Sequence, residues 1–386
     1  MSSLGPRFAA SSVALLLLAA PLVARAQDSC RVQEVTSLPG SHEFASTFLE
    51  ALASARDPNA IWGLTADLSS KVPAGDRVMY ISKTTDGGKT WMEVARLDNR
   101  YFDADIGEGE RNGLAVSPNG NEFVVTTQLG AFQVLPHSRV RSIAGPRVPE
   151  PDPEVSIPKK KGDPVTAGVV KITPDGTRLI VGYGYFDLQP QLLVYRKARD
   201  GSWIPDKPLP PLPTDMDLLS LEFGRDGSLY LGTGDQAFHL RPHSRHWTQL
   251  DGVGPDSAIQ SISTVGGPHL AACWGIYNPL GPDTVERVTH ASFLLHRNED
   301  EAGPNIRAFA IEVDPRRPDH QAATGLTGVY YSKDRGQTWT RLNDVPDGEF
   351  RSARFTRDGT LIVSGIQGTF LANPFAPGCS AHLRKR

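Results

Sequence analysis

The residues of this 386-residue chain that best suit ligand chemistry are carboxylates and aromatic rings grouped in short polar segments. Carboxylates accept hydrogen bonds from sugar hydroxyls and peptide amides, and aromatic rings pack on apolar faces of a ligand. These groups predict a surface that holds a glycan or a protein ligand, although acidic runs are also ordinary features of solvated loops. The candidates for ligand contact are Asp103, Asp105, Tyr183, Tyr185, Asp187, Asp235, Trp274, Tyr277 and Arg287.

Motifs for metal-dependent or nucleophilic catalysis are absent from the sequence. The ten histidines are scattered, and there is no H-E-x-x-H, C-x-x-C or G-x-S-x-G pattern. Asp103 and Asp105 with Glu108 and Glu110 offer oxygen ligands for Ca²⁺, but their spacing is not that of an EF-hand. We expect no metal site and no cofactor, with Ca²⁺ as an alternative. A carboxylate pair across a cleft, as glycosidases use, stays open.

Seven repeated units must position these side chains. Each unit contains a strand, a tight turn and further short strands, and the first turns of the units fall near residues 57, 119, 175, 226, 266, 315 and 358. That spacing suits four-stranded propeller blades. The sequence predicts an all-β fold, a β-propeller of seven four-stranded blades with six as the alternative, whose ring is closed by an N-terminal strand. In such a ring, the candidates above belong to loops of one face.

Two stretches share the pattern S/T-x-D-x-G-x-T-W, namely 84–91 and 332–339. The hydroxyl and carboxylate side chains can fold a hairpin turn, and the Trp returns beneath it. The pattern resembles the Asp-box of sialidase-like, sortilin-like and photosystem-assembly-factor-like β-propellers. The resemblance implies structural roles for Thr84, Asp86, Gly88, Trp91, Ser332, Asp334, Gly336 and Trp339. Degenerate copies are expected at 136–139, 200–203 and 242–245.

The resemblance does not extend to a sialidase active site. Sialidases need an arginine triad that begins in an R-I-P motif on the first blade, whereas the nearest string here is Pro146-Arg147-Val148-Pro149, after the second unit. The sequence therefore favours an exported binding or scaffold module for a glycan or protein, with a glycoside hydrolase as the alternative.

Export is predicted from the first 26 residues. An apolar run between Arg7 and the A-x-A site at Ala24–Ala26 is typical of a secretory signal peptide. No later apolar run has spanning length, and a net charge of −3 indicates neither a nucleic-acid nor a membrane partner. The predicted segments are 1–26 for the signal peptide, 27–43 for the closing strand, 44–379 for the propeller and 380–386 for a basic tail.

Three cysteines fit a secreted or periplasmic location. Cys30 and Cys379 lie near the two ends of the predicted ring, where an oxidising compartment favours a disulfide, and Cys273 is left over. Three free thiols are the alternative.

Overall fold

A computed structural model describes most of the chain. The described residues are 32–40, 46–51, 59–66, 72–73, 76–102, 112–149, 160–184, 189–254, 257–272, 275–288, 295–296, 305–306 and 308–375.

Seven antiparallel four-stranded sheets form the blades of a β-propeller. In blades 1 to 6 each strand pairs with the next strand of the chain, and in blade 7 the outer strand comes from the N-terminal part of the chain. Blade 1 contains β2 (Ser46–Ala51), β3 (Ile61–Ala66), β4 (Val78–Thr84) and β5 (Met92–Asp98). Blade 2 contains β6 (Gly113–Val116), β7 (Phe123–Thr127), β8 (Gly130–Leu135) and β9 (Arg139–Ser142). Blade 3 contains β10 (Ala167–Ile172), β11 (Arg178–Tyr183), β12 (Gln191–Lys197) and β13 (Trp203–Pro205). Blade 4 contains β14 (Leu218–Phe223), β15 (Leu229–Thr233), β16 (Ala237–Leu240) and β17 (Thr248–Gln249).

The remaining blades follow the same order. Blade 5 contains β18 (Ile259–Ser263), β19 (His269–Ala272), β20 (Gly275–Gly281) and β21 (Thr284–Arg287). A two-stranded ribbon of β22 (Leu295–His296) and β23 (Asn305–Ile306) precedes blade 6, which contains β24 (Ala308–Val313), β25 (Gln321–Gly325), β26 (Gly328–Ser332) and β27 (Thr340–Arg341). Blade 7 contains β28 (Phe350–Phe355), β29 (Leu361–Gly365), β30 (Gly368–Ala372) and β1 (Gln33–Glu34). Single 3-10 turns lie at Asn99–Tyr101 and Pro136–Ser138.

The N-terminal strand closes the ring. β1 pairs antiparallel with β30, so that Gln33 lies opposite Leu371 and Glu34 opposite Phe370. The Val35 N–H donates to the Thr369 carbonyl at 2.8 Å. This pairing covers the outer edge of β30, which would otherwise offer unpaired backbone groups to other chains. The predictions of seven blades and of closure by an N-terminal strand are therefore confirmed.

The blades pack face to face, and this packing explains why their second strands are buried on both sides. All five residues of β7 and of β29 are buried. A cluster between blades 1 and 2 includes Trp62, Leu64, Met79, Leu114 and Val125. Burial on two faces removes the alternation of apolar and polar residues that marks a half-exposed strand.

The two S/T-x-D-x-G-x-T-W stretches, called the first and second box turns below, fold alike. In the first, Asp86 Oδ1 accepts from the Thr90 backbone at 3.0 Å, and Trp91 Nε1 donates to the Gly88 carbonyl at 3.0 Å. In the second, Asp334 Oδ1 accepts from the Thr338 backbone at 2.8 Å, and Trp339 Nε1 donates to the Gly336 carbonyl at 2.8 Å. Each turn is therefore held by its own side chains.

Ionisation of Asp86 strengthens the first box turn. Desolvation within the turn disfavours the carboxylate, but hydrogen bonds from Thr90, Thr84 and Lys89 outweigh that effect and lower the pKa of Asp86 from 3.8 to about 2.

The first box turn also fastens blade 1 to blade 7. A Cβ atom on Gly88 would lie 2.7 Å from Leu371 Cδ2 and 2.8 Å from Ile362 Cδ1, so a larger residue would displace these side chains, and the φ of 90° also disfavours it. Trp91 packs in one buried cluster with Ile362, Leu371 and Leu38. The turn therefore links the blades at the point where the ring closes.

The turns of blades 2 and 4 share a backbone conformation. His137 and His243 both have φ of 63°, in the left-handed region. The repeated Pro-His-Ser-Arg sequence thus marks equivalent turns, as the sequence predicts.

Replacement of Arg335 by glycine is expected to stabilise the protein. Arg335 has φ of 57°, whereas the equivalent position of the first box turn is Gly87, with φ of 77°. A left-handed residue with a side chain is strained by about 1–2 kcal/mol, and glycine loses about 0.5–1 kcal/mol in chain entropy. We expect a net gain of about 0.5–1 kcal/mol in urea unfolding. Gly87→Arg is the matched control and should lower stability; a loss for both variants would contradict the account.

Stability is expected to fall as the pH drops below 6.5 because of His269. This residue lies between blades 5 and 6, with Nδ1 at 3.0 Å from Asn278 Oδ1 and Nε2 at 3.1 Å from the Val265 carbonyl. Burial lowers its pKa below 6.5, so the unfolded chain binds the proton more readily. The unfolding free energy should therefore decrease from pH 6.5 down to the folded pKa, by at most about 1.4 kcal/mol per pH unit. The same titration of His269→Gln should be flatter; an unchanged slope would contradict this role.

Candidate functional site

The first strands of the blades surround the axis of the propeller. β2, β6, β10, β14, β18, β24 and β28 contact one another in this order, and β28 contacts β2. Each of them starts after a crossing, the segment that joins the outer strand of one blade to the first strand of the next. The crossings and the turns between second and third strands lie on one face, here called the crossing face, because strand direction alternates within every blade.

Five first strands carry a β-bulge at the same place, one residue after the strand begins. The register shifts across residue 168 in blade 3, 219 in blade 4, 260 in blade 5, 309 in blade 6 and 351 in blade 7. A bulge inserts one residue, turns its side chain away from the regular alternation and is common beside functional sites. We call this set the bulge ring; its members are Gly168, Leu219, Gln260, Phe309 and Arg351.

Three members of the bulge ring have accessible side chains, whereas Gly168 and Leu219 are buried. Gln260 and Phe309 are half-buried, whereas Ile259 and Ala308 are completely buried. In blade 7, 29% of the Arg351 side chain is exposed. The ring therefore places an amide, an aromatic ring and a guanidinium around the axis near the crossing face.

Neighbouring members of the bulge ring contact each other. The Arg351 guanidinium lies over the Phe309 ring at 5.9 Å from its centroid, and Arg351 Nε also donates to Glu349. These contacts orient both side chains, and the Glu349 carboxylate balances the charge of the guanidinium. Stacking of this kind contributes about 0.5–1 kcal/mol at partly exposed sites.

Charges farther along the first strands are paired between adjacent blades. Lys171 Nζ lies 2.9 Å from Glu222 Oε2, and Arg354 donates to Glu312 Oε2 at 3.1 Å. Because each carboxylate has a basic partner, neither is a free general acid or base in this arrangement. The pairs join blade 3 to blade 4 and blade 6 to blade 7.

Two predicted ligand-contact tyrosines are buried. Tyr183 is 2% exposed and its hydroxyl lies 3.1 Å from that of Tyr195; burial raises its pKa well above the usual range. Tyr277 is 1% exposed, and its hydroxyl lies 3.2 Å from Ser257 Oγ. Both rings pack between strands, so neither contributes an exposed face to the bulge ring.

Asp235 and Arg287 both lie at the crossing face, but away from the axis. Asp235 is in the turn between β15 and β16, where its carboxylate accepts from Thr233 Oγ1 at 2.7 Å. Arg287 is an exposed residue at the end of β21, the outer strand of blade 5. Asp235 and Arg287 therefore lie on the crossing face, with Arg287 farther from the axis than Asp235.

The other predicted residues lie outside the described residues. These are Asp103, Asp105, Tyr185, Asp187, Trp274, Cys30 and Cys379, together with Glu108 and Glu110 of the Ca²⁺ alternative. Their roles stay predictions.

Within the described ranges, His, Cys, Asp and Glu side chains form no group of three or more that could hold a metal ion. Across the same part of the chain, no helix is long and apolar enough to cross a membrane.

The sequence did not reveal the bulge ring, because a bulge is a property of the backbone pairing. One signal was present: Gln260, Phe309 and Arg351 each occupy the second position of a first strand, beside a residue that is buried. Alignment of the units at that position would have grouped them.

The fold is shared with solved β-propellers of known proteins. No protein-family model and no curated protein matches the chain. YCF48 from Cyanidioschyzon merolae is similar with a TM-score of 0.53 and 15% identity, over 89% of this chain and 99% of that one. A structure described as YCF48 bound to D1 peptide has a TM-score of 0.52 and 14% identity, over 89% and 95% of the two chains.

PorZ of Porphyromonas gingivalis, described as an essential surface component of the type-IX secretion system, has a TM-score of 0.53 and 13% identity, over 83% of this chain and 46% of that one. Identities this low show the fold alone: the chain is a seven-bladed β-propeller.

Proposed function

We propose that this chain is an exported binding module that holds an extended segment of a protein partner at the bulge ring. The observation that carries the proposal is the ring itself, because bulges at one register in five blades place three different accessible side chains, those of Gln260, Phe309 and Arg351, around one axis. That arrangement suits recognition of a chain whose successive groups differ. The YCF48 structure with a D1 peptide supports the proposal at the level of the fold.

A protein ligand is favoured over a glycan by the charges near the axis. Glycan sites use free carboxylates and amides to bond sugar hydroxyls. Here Glu222, Glu312 and Glu349 each have a basic partner. For the same reason, these three carboxylates do not favour the hydrolase alternative.

We also propose that the chain is an Asp-box propeller. The two box turns support it, since both use the hydroxyl, carboxylate and Trp bonds that the pattern implies. Export to the periplasm or the exterior rests on the sequence at Val13–Ala26. N-terminal sequencing of protein from the envelope fraction should begin at Gln27; an intact Met1 terminus in that fraction would contradict export.

Parallel selections test the function. The mature protein is immobilised and offered a phage-displayed library of random peptides, a glycan array and fluorogenic glycosides. We expect enriched peptides whose binding is lost in Arg351→Ala and kept in Arg225→Ala, an exposed residue of a first-hairpin turn on the other face. Glycan binding alone, glycoside turnover, or peptides insensitive to Arg351→Ala would overturn the proposal.

A further inference from the structure

We infer that the segment held at the bulge ring carries a neutral apolar side chain, aromatic or large and aliphatic, that packs against Phe309. The inference rests on the proposed function and names the chemistry of the partner. Three features of the ring lead to it. They are the accessibility of Phe309, the ion-paired guanidinium of Arg351 beside it and the side-chain amide of Gln260 in the adjacent blade.

Phe309 is the aromatic side chain of the bulge ring. It is half-buried between Ala308 and Ala310, both of which are buried. An aromatic side chain left half-exposed beside the axis suits an anchor position, because desolvation of its remaining surface stabilises a complex.

The charge near Phe309 is balanced. Arg351 stacks on the ring and pairs with Glu349, whose side chain is 17% exposed. A charged ligand group would have to compete with this ion pair, whereas an apolar group can pack on the ring without breaking it. A partly buried charge that loses its partner is destabilised, so the arrangement favours a neutral anchor.

Gln260 supplies the polar part of the recognition. It is the bulge residue of blade 5, whose first strand contacts that of blade 6. A side-chain amide donates and accepts together, as a peptide unit does, and can therefore bond an extended backbone beside the anchor. A Gln at this position fits a peptide better than it fits a purely apolar ligand.

Scanning one peptide from the selections tests the inference. Each position of the peptide is replaced by alanine, and binding to the mature protein is measured by fluorescence anisotropy. One aromatic or large aliphatic position should lose at least tenfold in affinity. Phe309→Ala should cause a similar loss, and Phe309→Leu, which keeps an apolar surface, a smaller one. Thermal unfolding of both variants confirms that they fold.

The two anchors should be coupled. In a double-mutant cycle, alanine at the peptide anchor combined with Phe309→Ala should cost little more than either change alone. Additive losses, an anchor that is acidic, or affinity unchanged in both Phe309 variants would overturn the inference while leaving a peptide-binding module intact. Failure to enrich any peptide would overturn the proposed function as well, so the two failures are distinguishable.

Discussion

Replacing Trp91 by alanine is expected to lower the free energy of unfolding by about 3–5 kcal/mol. Trp91 is 7% exposed and packs with Ile362 and Leu371 of blade 7. Its indole N–H also holds the first box turn at the Gly88 carbonyl. The change leaves a cavity at the junction between the first and last blades, where the ring closes.

Trp339 of the second box turn is the matched control. It makes the same turn bond but is half-buried, so Trp339→Ala should cost about 1–2 kcal/mol. Urea unfolding followed by tryptophan fluorescence and circular dichroism measures both losses. An equal effect of the two variants would show that the turn bond, rather than packing against blade 7, determines the stability.

Reduction of a bond between Cys30 and Cys379 is expected to lower stability by about 4–5 kcal/mol, since the bond would enclose nearly the whole chain. Both residues lie outside the described residues, and the prediction comes from their positions in the sequence. The pairing of β1 with β30 supports it, because it brings the two ends of the ring together.

Non-reducing peptide mapping and urea unfolding with and without a reductant check this prediction. Cys30→Ser should remove the effect of the reductant, and Cys273→Ser should not. Three free thiols in the protein purified from the envelope, or a midpoint indifferent to reduction, would contradict it.

The fold could be predicted from the sequence because its signals are local. Asp175-Gly176, Asp226-Gly227 and Asp358-Gly359 mark first-hairpin turns, and each glycine has positive φ. The box turns carry their own hydrogen-bond partners within eight residues. The missing outer strand of the last unit identified the N-terminal segment as its partner, and the pairing of β1 with β30 confirms this.

The candidate site was harder to predict because its features depend on residues distant in sequence. Tyr183 is buried against Tyr195 and Gly145, and Tyr277 is buried against Ser257. These neighbours belong to other strands or to crossings. Composition alone cannot separate a buried tyrosine from an exposed one. The bulge ring depends on pairing register, which only the folded sheets define.

Site-specific photo-cross-linking in the producing cell tests the central claim most directly. A photoreactive phenylalanine analogue replaces Phe309 in the bulge ring or, as the control, Arg225 on the opposite face. We predict a discrete adduct with an envelope protein from position 309 and none from position 225. Adducts from position 225 alone, or equal adducts from both positions, would contradict a protein-binding site at the axis of the crossing face.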